Sequence, residues 1–305
     1  MTRIYHHNDC LSHDPGHFHS ENPGRLGVIM AELRRAGFAR PLDYAAAPLG
    51  TDAQVQLAHT EAYLRLIKAN APLEGRRSLD PDTVMSVGSL NAALRAVGAA
   101  CAGVDDLVAG KANHVFCATR PPGHHATATH AMGFCIFNHI AIAALHAQQH
   151  GLERVAIVDF DVHHGNGTQD ILLGKEGMLY ISTHQSPLYP GTGQLEENRA
   201  GNILNVPLPG GTGDTTYQGI FSDEVVPALD AFKPQLLLVS AGFDAHKADP
   251  LAGIALTEKT YRWLGQQLRA SANAHAGGKL LSVLEGGYNL DVLGPSVAAY
   301  IEGAA

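Results

Sequence analysis

Between residues 155 and 169 the chain reads VAIVDFDVHHGNGTQ, an apolar run that delivers Asp159, Asp161, His163 and His164 within six positions. Asp161 and His163 are separated by one residue, so on an extended strand end both side chains leave on the same side. That is a spacing for two ligands of one metal ion. A third ligand is expected at Asp244, in SAGFDAHKADP, again after an apolar run. An Asp-His-Asp set leaves a position for water and substrate, as catalytic zinc sites do. Taken singly, an Asp or His at a strand end is more often a helix cap or turn residue. The density of ionisable groups is what favours a metal.

Two further features suit hydrolysis. His124 and His125 follow a PPG turn in RPPGHHATATHAMGFCIFN; a tandem pair can supply a general base and a second imidazole that stabilises charge, if each is oriented by a partner. Asp159 is a candidate partner for one of them. Tyr288, in LEGGYNL, follows a Gly-Gly pair that lets the backbone turn sharply. A phenol there can donate to an oxyanion without carrying charge at neutral pH.

The elements that must position these residues are legible as apolar runs, each followed by a turn and a helix-like stretch: HVFCATRPPGHH, VAIVDFDVHHG, MLYISTHQSP, LLLVSAGFDAH and KLLSVLEGGYN. Residues 138–149, 215–231 and 257–274 have helical spacing, as do the pieces 24–36 and 52–69 in an otherwise irregular first part. The alternation predicts an α/β fold: one domain over residues 1–305, with a central, mostly parallel sheet flanked by helices on both faces. In such sheets the site lies beyond the carboxyl ends of the strands, where each of these residues falls.

Composition narrows the classes. The 305 residues are 45% hydrophobic with a formal net charge of -8, which permits a large core and gives no basic footprint for nucleic acid or anionic membrane. No apolar run approaches the ~20 residues of a membrane span, and the N-terminus lacks the apolar stretch of a signal peptide. A soluble, cytoplasmic protein is expected. Cys10, Cys101, Cys117 and Cys135 are scattered without CxxC spacing, so reduced thiols are expected rather than disulfides or a thiolate zinc site. No heptad marks an oligomer interface, and oligomer formation stays open.

With these segments in this order, the chain resembles the zinc-dependent histone deacetylases and their bacterial amidohydrolase relatives, of the arginase/deacetylase fold. STHQSPLYPGTG, at residues 182–193, adds to the likeness. The resemblance implies that Asp161, His163 and Asp244 hold one catalytic Zn²⁺, that His124 and His125 are the catalytic pair, that Asp159 bonds His124, and that Tyr288 polarises the scissile carbonyl. It further implies substrate-channel positions at Gly133 and Phe134, an opposing wall at Tyr189, an inner-cavity arginine at Arg25, and a structural K⁺ near Asp159, Asp161, His163 and Ser182. Either Asp80 or Asp82 would be the rim aspartate that grips the substrate backbone.

The chain also departs from parts of the family. Asn166 stands where some members carry an aspartate, so the partner of His125 is neutral. Tyr189 replaces a common phenylalanine, and Leu251 stands where polyamine-selective relatives have glutamate. The expected activity is metal-assisted hydrolysis of an acetyl or other acyl group from the ε-amine of lysine, with acetylpolyamine hydrolysis as the alternative. A catalytically inactive acyl-lysine-binding module is the alternative from another class. Arginase-like two-metal chemistry is disfavoured, because Gly165 occupies the position of the extra carboxylate in DxHxD. The oxygen and nitrogen donors suit Zn²⁺ or Fe²⁺.

Overall fold

The computed structural model describes residues 1–198 and 200–305. Its strands are β1 (Thr2–His6), β2 (Asp43–Ala46), β3 (Arg76–Ser78), β4 (Val84–Ser86), β5 (His114–Cys117), β6 (Val155–Asp159), β7 (Met178–Gln185), β8 (Ile203–Leu208), β9 (Leu236–Ala241) and β10 (Leu280–Leu284). Eight of them form one sheet in the order β2-β1-β5-β10-β9-β6-β7-β8, and every neighbouring pair is parallel. β3 and β4 make a separate antiparallel hairpin.

The helices are α1 (Gly24–Arg35), α2 (Asp52–Val55), α3 (Glu61–Asn70), α4 (Ser89–Val108), α5 (His139–Gln149), α6 (Asn166–Leu172), α7 (Asp214–Ile220), α8 (Val226–Phe232), α9 (Glu258–His275) and α10 (Leu290–Ala304). They cover both faces of the sheet, which is why β6, β9 and β10 are buried at every residue and lack a polar alternation. Successive residues of β6 serve two cores. Ala156 and Val158 pack with Leu26, Ile29, Leu264 and Val297 of α1, α9 and α10. Val155 and Ile157 pack with Val97, Ala100, Ile140 and Ala144 of α4 and α5. Truncating Ile157 to alanine removes buried methylenes and costs about 2–5 kcal/mol.

Two helical expectations need correction. Residues 52–69 are not one helix: α2 ends at Val55 and α3 starts at Glu61. Thr60 restarts the helix by accepting a hydrogen bond from the Tyr63 N–H. Residues 215–231 are helical throughout but contain a π-turn at Phe221–Val225 between α7 and α8. The irregular first part supplies two strands of the main sheet, β1 and β2, whose residues TRIYH and DYAA mix polar and apolar side chains and form no apolar run. α4, the longest helix, was not among the expected elements.

The five strands expected from apolar runs lie side by side, β5-β10-β9-β6-β7. Their carboxyl ends therefore converge on one patch of the sheet edge. Among the described residues, no helix is long and apolar enough to cross a membrane. All four cysteines are buried and free.

Candidate active site

Asp161 and His163 follow β6, and Asp244 follows β9, its neighbour. Their ligand atoms lie within 4.8 Å of one another. His163 Nδ1 is 3.1 Å from Asp161 Oδ1 and 3.1 Å from Asp244 Oδ2. Each carboxylate is aimed by the backbone: Gly286 N–H donates to Asp161 Oδ2 at 2.8 Å, and Val162 N–H donates to Asp244 Oδ1 at 2.9 Å. Both carboxylates are fully buried, and two anions so placed repel unless a cation lies between them. Without a metal, burial and then Asp161 push the Asp244 carboxyl up to about 7. Burial opposes the His163 imidazolium, but Asp161 and Asp244 outweigh it and raise that group to about 10. Close buried carboxylates, an imidazole between them and oxygen/nitrogen spacings near 3 Å fit a divalent metal ion.

The tandem histidines sit on the loop after β5 and are tied to different partners. His124 Nδ1–H donates to Asp159 Oδ2 at 3.0 Å, and that oxygen also accepts from the Tyr180 hydroxyl at 3.0 Å. Burial opposes the charged form of His124, yet Asp159, then Asp161 and Glu285, raise its pKa to about 10. His125 Nδ1 faces Asn166 Oδ1 at 2.8 Å, so its tautomer is fixed by a neutral group. Burial, followed by His124 and His163, holds His125 well below the ordinary imidazole range. Adjacent residues are thus driven in opposite directions, one toward the imidazolium and one toward a neutral base.

A cavity of about 250 Å³ opens over this cluster, lined by Asp82, His125, Gly133, Phe134, His163, Leu188, Tyr189, Leu251 and Tyr288. His125 and His163 reach its floor, whereas His124 is not among the lining residues. Tyr189 meets His125 edge to face, with centroids 5.2 Å apart, and Phe134 meets Tyr288 in the same way at 5.8 Å. Phe134 adopts a left-handed backbone at φ 67°, a strained state for a bulky residue. Its N–H is held by Thr83 Oγ1 at 3.0 Å, and the preceding Gly133 N–H by Asp82 Oδ1 at 2.9 Å. Asp82, unlike Asp80, is therefore part of the cavity wall; Asp80 accepts the Asp82 N–H.

Arg25 is fully buried beneath the Gly-Gly-Tyr turn. Its guanidinium donates to the Gly287 carbonyl at 2.6 Å, to the Glu285 carbonyl and to Glu21 Oε1 at 3.1 Å, and it lies 4.9 Å from the centre of the Tyr288 ring. Arg25 thus braces the turn that carries Tyr288. Ser182 is the register partner of Asp159 across β6 and β7, and its hydroxyl meets His184 Nδ1 at 2.9 Å. His164, which shares the charged segment, turns away to Thr192 and Gln169.

Three groups around the site escaped the sequence reading. Glu285 accepts from the Gly123 and His124 N–H groups at 2.7 and 3.2 Å and from the Ser240 hydroxyl at 3.0 Å, fixing the histidine loop from β10. Burial pushes its carboxyl up to about 7. Glu21 joins Arg25 to Arg120, the latter through contacts of 2.6 Å at both carboxylate oxygens. Glu21 precedes α1, so no helical spacing pointed to Arg25, and nothing local linked Glu21 to Arg120.

Residues 19–304 match the family described as the histone deacetylase domain. The chain is 38% identical over 297 residues to a probable deacetylase of Archaeoglobus fulgidus, covering 95% of this chain and 82% of that one. It is 40% identical over 277 residues to a histone deacetylase-like amidohydrolase of Pseudomonas aeruginosa, covering 89% and 73%. Several other relatives are longer, and the chain spans about half of them or less. The crystal structure of the HDA15 HD domain superposes with a TM-score of 0.92 at 38% identity, over 98% of this chain and 87% of that one.

Proposed function

The chain belongs to the histone deacetylase family of hydrolases, and from that premise we propose that it is a metal-dependent amidohydrolase that removes acetyl or another short acyl group from the ε-amine of lysine. The observation that carries the reading is the Asp161-His163-Asp244 cluster at the floor of a narrow cavity lined by His125, Phe134, Tyr189, Leu251 and Tyr288.

Held by Asp161, His163 and Asp244, a divalent ion, Zn²⁺ in our reading, would supply a Lewis acid for the acyl carbonyl and a water of lowered pKa. His125 takes the proton of the attacking water: it faces the cavity and its Nδ1 is engaged by Asn166, leaving Nε2 free. His124, paired with Asp159, holds positive charge behind it and steadies the anionic intermediate. Tyr288 donates its O–H to the developing oxyanion. His125 then passes the proton to the departing amine.

An acyl-lysine side chain is thin and uncharged near its end, which suits walls of Phe134, Tyr189 and Leu251. Asp82 is the rim aspartate of this proposal, since it lines the cavity. Asp159, Asp161, His163 and Ser182 would hold a K⁺, Asp159 and Ser182 being register partners across β6 and β7. Two-metal chemistry is disfavoured by packing as well as by sequence. A Cβ at Gly165 would lie 2.3 Å from Asp159 Oδ2 and 2.4 Å from the Tyr180 hydroxyl, so no carboxylate side chain fits there.

The test is kcat/KM of the zinc-loaded protein on an acetyl-lysine peptide, acetylputrescine and acetylspermidine. Preference for the peptide supports the proposal. Preference for the polyamines keeps the chemistry and overturns the substrate. Peptide binding without turnover on any of them identifies a binding module.

A further inference from the structure

The described residues contain one other trio of metal-ligand type, Asp105, His146 and His150. It sits on the far side of the helical layer, where α4 and α5 end. His146 is in the last turn of α5 and His150 is its C-cap, one helical turn apart and therefore on one face. Asp105 is in the last turn of α4. The negative ends of two helix dipoles thus point at the same spot, which favours a cation.

The three ligand atoms converge. His146 Nε2 and His150 Nε2 each lie 2.8 Å from the same oxygen, Asp105 Oδ1, and 3.3 Å from one another. The rings cross at 78° with centroids 4.8 Å apart, so both nitrogens face one point instead of stacking. An ion with bonds of about 2.0–2.1 Å holds tetrahedral ligands roughly 3.3 Å apart, and modest opening of the cluster meets that spacing. Asp105 is half exposed, so solvent can complete the coordination.

We propose that Asp105, His146 and His150 form a peripheral site for a divalent transition metal, separate from the catalytic cluster, that ties α4 to α5. Imidazole with one carboxylate selects Zn²⁺, Ni²⁺, Co²⁺ or Cu²⁺ over Mg²⁺ and Ca²⁺. The site is remote from the cavity: Asn138, the N-cap of α5, braces the His124 loop through the Ala126 carbonyl at 3.0 Å, and the histidines lie a helix length away, roughly 15 Å. The site binds more weakly than a fully supported one. His146 Nδ1 is buried without a hydrogen-bond partner, and absence of such an outer partner lowers affinity about 10–100-fold.

The experiment compares the native holoenzyme with His146→Ala/His150→Ala, and with Asp105→Asn as a milder variant. Each is freed of loosely held metal by gel filtration and titrated calorimetrically with Zn²⁺ and then Ni²⁺. The native chain should take up about one equivalent more than the double variant. Added Zn²⁺ should raise the Tm of the native chain more than that of the double variant, while kcat/KM on the acetyl-lysine peptide stays equal in both. Asp105→Asn should fall between them in affinity. Equal uptake and equal thermal response in native chain and double variant would overturn the site, whatever occupies the catalytic cluster.

Discussion

Replacing Gly286 by alanine should separate the metal cluster from the fold that carries it. Gly286 follows β10, and its N–H aims Asp161 Oδ2 at 2.8 Å. An added Cβ would lie 2.0 Å from Asp244 Oδ2 and 2.6 Å from Asp161 Oδ2, where ordinary contact starts near 3.4 Å. One carboxylate or the turn must yield by more than 1 Å, because a close-packed interior offers no slack. A displacement of that size at reacting groups costs on the order of 10²-fold in rate. Such overpacking destabilises by about 1–3 kcal/mol, a Tm shift of several degrees that leaves the protein folded. The assay pairs bound zinc by elemental analysis with kcat/KM on an acetyl-lysine peptide, and circular dichroism reports the fold. Gly27→Ala is the matched control, since a Cβ there meets nothing within 4 Å. Native zinc content and native kcat/KM in a folded Gly286→Ala protein would refute the reasoning.

Other perturbations reach the remaining parts of the account. Asn166→Asp places a carboxylate on His125 Nδ1, which favours the imidazolium, so the acid limb of the kcat/KM profile should move to higher pH; an unmoved limb would remove His125 as the base. Leu251→Glu should raise kcat/KM for acetylspermidine relative to the peptide by about 10-fold, since an acid at the cavity wall holds the second amine. Acid should destabilise the protein partly through His59, whose Nε2 accepts from the Asn138 N–H at 2.8 Å and whose pKa burial lowers to about 4. The unfolded chain takes up this proton near 6.5 and the native chain does not until about 4, so the contribution is complete above 6.5 and falls as pH drops, by roughly 3 kcal/mol. Chemical denaturation between those pH values should show a shallower loss in His59→Gln.

The parts of the site that could be read from sequence were those encoded locally. Asp161 and His163 lie past the end of β6 in a bend, where the His163 N–H donates to Asp161 Oδ1 at 2.9 Å, so nearness in sequence brings them together rather than the strand alternation expected of them; Asp244 and Tyr288 follow apolar runs that became the neighbouring strands β9 and β10. The distinction between Asp80 and Asp82 was not legible, because it depends on Thr83 and Asp82 gripping the Gly133-Phe134 backbone from a loop 51 residues away. Glu285 stood in a segment whose glycines and tyrosine drew attention, yet its partners, Gly123 and His124, lie 162 and 161 residues distant. β1 and β2 were hidden for another reason. Their residues, TRIYH and DYAA, mix polar and apolar side chains and form no apolar run, and only the pairing of β1 with β5 and of β2 with β1 makes them part of the sheet. The break between α2 and α3 rests on one cap, Thr60, inside a continuous helical pattern.

The most direct test of the central claim is the rate at which zinc-loaded protein releases acetate from an acetyl-lysine peptide, compared with Tyr288→Phe. The native protein should turn the peptide over, with kcat lowered about 10²–10³-fold and KM little changed in the variant, the loss expected for one oxyanion donor. Native kcat in Tyr288→Phe, or no acetate released by native protein with zinc bound, would contradict the claim.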